Sequence, residues 1–161
     1  FMENILNKEA VKRVQNKLDE YNKEIRAIVL KSSARTAQQA AESLKTEVGS
    51  IVKSLLFKTE DGFILCLISG DKKCSLNKLK KIKDQKDISM ADPQTVKEIT
   101  GFTIGGVSPI GHLHEMEIFV DEQLSRFTDI FAAAGHPNCI FKIDFDNLVK
   151  ITKGAVKNIT E

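Results

Sequence analysis

Two apolar runs set apart by a turn limit this chain more than any other feature. Residues 51–58 read IVKSLLFK and residues 63–69 read FILCLIS, with Asp61-Gly62 between them. Runs rich in β-branched and aromatic residues, flanking a glycine-containing turn, predict an antiparallel hairpin. One residue in the first run does not fit an apolar strand. Side chains alternate along a strand, so Lys53 shares a face with Ile51 and Leu55, while Val52 and Ser54 point the other way. Burying an unpaired ammonium is costly. Lys53 therefore needs a partner, an edge position that reaches solvent, or a pocket where it holds an anionic or polar ligand.

The rest of the chain supplies helices and further strands. Residues 8–21 carry Val11, Val14, Leu18 and Tyr21 at helical spacing and predict an amphipathic helix. Residues 24–30 read as a strand. Ser32, Ser33 and Thr36 offer a polar start to a helix of about ten residues bearing Ala37, Ala40, Ala41 and Leu44. Ser75 opens a helix with Leu76, Leu79 and Ile82 on one face. Asp92-Pro93 opens another over 94–100, because proline at the first helical position gives up no needed N–H. Residues 117–121 and 139–143 read as strands, 126–132 fits either state, 135–138 reads as a turn, and Asp144 caps a last helix over 145–151. Strands and helices mix without regular βα alternation, which is the pattern of an α+β (mixed α/β) fold. At 161 residues, without repeat or linker, the chain reads as one domain.

Composition narrows the class. Hydrophobic residues at 42% and charged residues at 29% are those of a globular chain, and no run is long enough to span a membrane. Phe1 ahead of Met2 reads as foreign to a natural start, and the first residues show no leader pattern. Cys66, Cys74 and Cys139 have neither disulfide-framework nor zinc spacing and read as reduced thiols of a cytoplasmic protein. A net charge of +2 says little. Yet Lys72, Lys73, Lys78, Lys80, Lys81, Lys83 and Lys86 crowd one short segment, which reads either as a solvated helix face or as a phosphate-contacting patch.

Residues 105–112 (Gly-Gly-Val-Ser-Pro-Ile-Gly-His) form a loop that three glycines and a proline shape through the main chain. Such a loop is either a plain turn or a source of N–H donors for a carbonyl that becomes an oxyanion. It matches no nucleotide-binding motif. His112 and His114 lie two apart, but no third ligand follows them at zinc spacing, His136 included, so no metal and no cofactor are expected. No serine or cysteine triad is visible.

The lysine of 51–55 (IVKSL), the hairpin after it and the GxxxP of Gly105–Pro109 resemble the YbaK-type aminoacyl-tRNA deacylase family, which includes the editing domain of bacterial prolyl-tRNA synthetases and its free-standing relatives. The similarity takes in 33–37 and 133–135 and extends from about Ile25 to Ile159. It implies a curved, barrel-like mixed sheet flanked by helices, forming one editing domain over 1–161 with 1–23 as a helical extension packed on it. It implies that Lys53 meets the tRNA end or the aminoacyl group, and that backbone N–H groups of Gly105 and Gly106 stabilise the ester carbonyl. Thr36, Val107, Ser108, Pro109, His112 and His136 would line the substrate pocket, and Lys72, Lys73, Lys78, Lys80 and Lys81 would contact tRNA. The implied activity is hydrolysis of a small amino acid mischarged onto tRNA, with tRNA(Pro) as the leading candidate and a substrate group assisting catalysis. The alternative is a non-catalytic module that binds tRNA or a synthetase. The expected partners are aminoacyl-tRNA and a synthetase, with no membrane, and a monomer is favoured over an oligomer.

Overall fold

In the computed structural model, which describes residues 2–32 and 34–161, the chain runs α1 (Met2–Leu6), α2 (Glu9–Tyr21), β1 (Ile28–Val29), α3 (Ala37–Leu44), β2 (Val52–Lys58), β3 (Phe63–Ser69), α4 (Leu76–Lys83), β4 (Ser89–Met90), α5 (Pro93–Thr100), β5 (Glu117–Asp121), β6 (Ile130–His136), β7 (Cys139–Ile143), α6 (Phe145–Thr152) and β8 (Ala155–Lys157). The expected hairpin is β2–β3, in register from Val52 opposite Ser69 to Lys58 opposite Phe63. It forms the middle of a five-stranded sheet ordered β4-β2-β3-β5-β8, while β1-β7-β6 make a second, three-stranded sheet. The class is mixed α+β. The strands do not close into a barrel; the two sheets meet at a single parallel bridge, Ile51 to Phe131.

The strand β3 explains why the hairpin is central. Ile64 to Ile68 are all fully buried. Leu65 and Leu67 point into a core shared with α2, β6 and β7, while Ile64, Cys66 and Ile68 point into a second core with Leu79 and Ile159. A fully buried Leu or Ile contributes roughly 1.5–3 kcal/mol relative to exposure, so covering both faces outweighs any single cap or ion pair.

The helix starts follow residue type. Thr36, Ser75, Asp92 and Asp144 each accept from the N–H three residues on, at Gln39, Lys78, Thr95 and Asn147. Ser33, part of the expected start of α3, lies outside the described residues. Three expectations change. The strand expected over 24–30 shrinks to Ile28–Val29, because the Gln15 side chain accepts from Ala27 N–H (2.8 Å) and donates to Ile25 O (3.1 Å). A helix amide there takes the place of a neighbouring strand. Of the undecided segment 126–132, Ile130 to Ala132 join β6. Of the expected turn 135–138, Gly135 and His136 extend that strand through a register shift until His136 faces Cys139, which leaves the turn to Pro137 and Asn138. On α4 only Leu79 is buried, and Leu76 and Ile82, expected beside it, are each 39% exposed. No helix among the described residues is long and apolar enough to cross a membrane.

Candidate active site

Ladder parity on β2 locates the site. Gly70 N–H donates to Ile51 O, whereas Ala91 N–H donates to Leu56 O. Odd-numbered residues of β2 therefore pair with β3, and the N–H and C=O of Val52, Ser54, Leu56 and Lys58 face the opposite edge. On that edge β4 and Ala91 cover Leu56, Phe57 and Lys58, and β6 bridges Ile51. Between them the edge is open over Val52 to Leu55, about four residues or roughly 13 Å of strand. A cavity of about 400 Å³ fills this gap. Its walls are β2, the start of α3, Ala91 and Val96, Ile104 to Val107, and Phe131, Ala133 and Ile140 of the second sheet.

Lys53 lines the cavity from the bare stretch, half-buried. Its Nζ donates to Lys72 O at 2.6 Å. Burial lowers its pKa, and neighbouring Lys73 adds to this, while Asp71 and Cys74 oppose it. Asp71 is itself held by both Nη atoms of Arg126, at 2.8 and 3.1 Å, which keeps its carboxyl below the usual range. Edge, pocket and partner, the three ways in which a strand lysine can be accommodated, thus coincide at Lys53.

The glycine loop forms the facing wall. Gly105 has φ +93°, in the left-handed region that favours glycine. Gly106 abuts the backbone of His136, where a Cβ would lie 3.0 Å from His136 Cα. Its N–H donates to Thr103 O at 2.9 Å. That amide is already used within the loop, so Gly106 contributes by lacking a side chain rather than as a donor to a ligand. Among the described residues, the N–H groups of Gly105, Val107 and Ser108 meet no acceptor. Gly105 and Val107 line the cavity; Ser108 and Pro109 are buried behind it.

The histidines do not line the cavity. His112 packs edge-on against Phe102 (centroids 5.9 Å apart), and its Nε2 lies 2.7 Å from Ser108 O. A carbonyl only accepts, so Nε2 carries the proton. Burial, with Arg13 nearby, depresses the His112 pKa, and the bond to Ser108 opposes this. His136 Nδ1 accepts from Asn138 N–H at 3.0 Å, at the end of β6. Its neighbour Pro137 is the residue that reaches the cavity. His114 is exposed, and no three His, Cys, Asp or Glu among the described residues come together as a metal site. Thr36 lines the cavity, with Oγ1 accepting from Gln39 N–H.

The seven clustered lysines divide. Lys78 is tied to Asn158 Oδ1 and Thr160 O, and Lys83 to Glu117. Lys72 and Lys73 stand beside Lys53, Lys81 is exposed, and Lys80 and Lys86 flank a separate hollow with Lys58. Lys58 escaped the sequence reading because it belongs to the hairpin and not to the run. Arg13 escaped it too. From α2, Arg13 donates to Gly101 O (3.2 Å) and Gly111 O (3.0 Å) and lies over Phe102, bracketing the glycine loop. No local pattern marks a bond made nearly a hundred residues away.

Residues 31–151 match the family model of the aminoacyl-tRNA editing domain, and the chain belongs to that family. The Bacillus subtilis (strain 168) protein YwhH, which is uncharacterized, is 34% identical over 135 residues, covering 83% of this chain and 85% of that one. A proline--tRNA ligase of Thermosipho melanesiensis is 35% identical over 117 residues, 73% of this chain but only 20% of the ligase. A crystal structure described as a proposed trans-editing enzyme for prolyl tRNA synthetase superposes with a TM-score of 0.90 at 35% identity, over 96% of this chain and 98% of that one. The protein is thus an aminoacyl-tRNA editing domain of the YbaK-like deacylase kind, related to those associated with prolyl-tRNA synthetases.

Proposed function

We propose that this chain hydrolyses the ester joining a small, wrongly attached amino acid to the end of a tRNA, with tRNA(Pro) the leading candidate. The observation that carries this reading is the cavity on the bare edge of β2, with Lys53 on one wall and the uncommitted N–H groups of Gly105 and Val107 on the other. At about 400 Å³ the cavity is near the low end of ligand pockets, which suits an aminoacyl group rather than a long peptide. Water adds to the ester carbonyl, the developing oxyanion is stabilised by the loop N–H groups, and the ribose oxygen leaves with a proton. A hydroxyl of the terminal ribose assists the attacking water, so the enzyme needs no nucleophile of its own. Lys53 holds the tRNA end in place by its charge. Editing of this kind meets a real need, because a synthetase pocket discriminates weakly against a slightly smaller amino acid. The relatives linked to prolyl-tRNA synthetase support tRNA(Pro), with a synthetase partner supplying tRNA identity and Lys72, Lys73, Lys80 and Lys81 adding sequence-independent affinity.

Single-turnover deacylation of a panel of aminoacyl-tRNAs, wild type beside Lys53→Ala, tests the reading. Release of one small mismatched amino acid, slowed roughly a hundredfold or more by the substitution, is expected. No release from any member, with a synthetase added, would leave a non-catalytic binding module.

A further inference from the structure

Ser54 sits at the centre of the bare stretch of β2 and has no role in the chemistry above. It lines the cavity, and its Oγ is buried without a hydrogen-bond partner among the described residues. Buried hydroxyls are normally paired, since an unmade bond forfeits hydration and returns nothing. A second orphan, Ser69 Oγ, lies diagonally across the hairpin, because Ser54 faces Leu67 while Ser69 faces Val52. Ser69 is fully buried and does not line the cavity.

Of the other polar side chains at the wall, Thr36 Oγ1 caps α3, Lys53 Nζ is held by Lys72 O, and Arg35 is exposed to solvent; the uncommitted N–H groups of Gly105 and Val107 belong to the loop on the facing wall. Most of what remains is apolar, including Ile51, Val52, Leu56, Val96, Phe131 and Ile140. A purely apolar wall barely separates a hydroxyl from a methyl group, whereas a wall with one unsatisfied hydroxyl gains a bond with the first and stays unsatisfied with the second.

We propose that Ser54 is the specificity-determining residue of this cavity, its hydroxyl pairing with the side-chain hydroxyl or thiol of the attached amino acid. The inference rests on the deacylase reading. Seryl esters are then cleaved in preference to 2-aminobutyryl esters, which replace the hydroxyl by a methyl at nearly constant size, and to alanyl esters.

The test is single-turnover release from seryl-, 2-aminobutyryl- and alanyl-tRNA, all on the same tRNA, by wild type, Ser54→Ala and Ser69→Ala. The expected result is a seryl preference over 2-aminobutyryl of about tenfold or more in wild type, the worth of one hydrogen bond. Ser54→Ala collapses that ratio towards one by slowing the seryl ester, and Ser69→Ala leaves it unchanged. Both variants melt at or above the wild-type temperature, because neither loses a bond. A ratio that survives in Ser54→Ala overturns the proposal. So does an equal slowing of all three esters, which would assign the hydroxyl to a part common to every substrate. So does a wild type that favours the methyl isostere. Release of none of the esters, nor of any other in the wider panel, would instead overturn the deacylase reading and this inference with it.

Discussion

At the scale of single residues, the site depends on groups whose protonation is tilted by burial. His112 is the clearest. Its imidazolium is disfavoured by burial and by Arg13, so its folded pKa lies below the ordinary 6.5. The unfolded chain therefore takes up a proton near 6.5 before the folded one does. The stability this gives is full above 6.5 and is lost as the pH falls through the folded pKa. Thermal melts from pH 7.5 to 5 are expected to show a decline that is shallower in His112→Gln, which keeps an N–H donor for Ser108 O. Equal slopes in the two proteins would assign the decline to other groups. Lys53 is tilted the same way: burial costs it protonation, and a neutral amine would no longer attract the tRNA end. Deacylation by the wild type is expected to fall as alkaline pH removes that charge, and Lys53→Arg to extend the plateau upwards, since arginine keeps its charge.

At the scale of elements, α2 is more than an appendage. The guanidinium of Arg13 ties together the carbonyls of Gly101 and Gly111, the residues bounding the segment that carries the loop, and lies over the Phe102 ring, against which His112 packs edge-on. Arg13→Ala leaves both carbonyls without that donor and is expected to cost about 1–3 kcal/mol of stability. Urea unfolding measures this. If the loop is the oxyanion-binding wall, the same variant loses kcat more than substrate affinity, even at a temperature where it remains folded. Helix caps are a simpler case. Asp92 accepts from Thr95 N–H at 2.7 Å on an exposed surface, and Asp92→Ala is expected to cost about 1 kcal/mol, with no effect on the cavity's chemistry.

At the scale of the whole molecule, the cavity exists because two sheets share one strand edge without completing it. The C-terminal end seals the opposite side of the five-stranded sheet. The buried carboxylate of Asp121 accepts from Ile159 N–H (2.8 Å) and Thr160 Oγ1 (3.1 Å), and Lys78 fastens Asn158 and Thr160 from α4. Asp121→Ala is expected to destabilise by about 3 kcal/mol, because it leaves buried donors unpaired. The lysines separate in the same way. Replacing Lys72, Lys73, Lys80 and Lys81 together should flatten the salt dependence of tRNA binding, by up to about 0.7–0.9 in log–log slope for each phosphate that is no longer neutralised. Replacing Lys78 should lower stability instead. Filter binding over a salt series, set beside melts, checks both.

Much of this was legible in the residues themselves. The hairpin, the α+β class, four helix caps and the membership of Lys53 and the glycine loop in one resemblance all follow from patterns within a few residues of one another. Periodicity, turn chemistry and capping act at that range. The sequence alone could not reveal that residues 25–27 would pair with the Gln15 side chain and not form a strand. Nor could it show that Gly106 N–H would be spent on Thr103, that His112 and His136 would stand behind the cavity wall, or that Arg13 would brace a loop nearly a hundred residues away. Each of these depends on which groups meet once the chain has packed, and buried hydrogen bonds are distributed by proximity in space. Ser54 shows the division most plainly. Its place in an apolar strand could be read from the sequence, but the absence of a partner for its hydroxyl is a property of the folded neighbourhood alone.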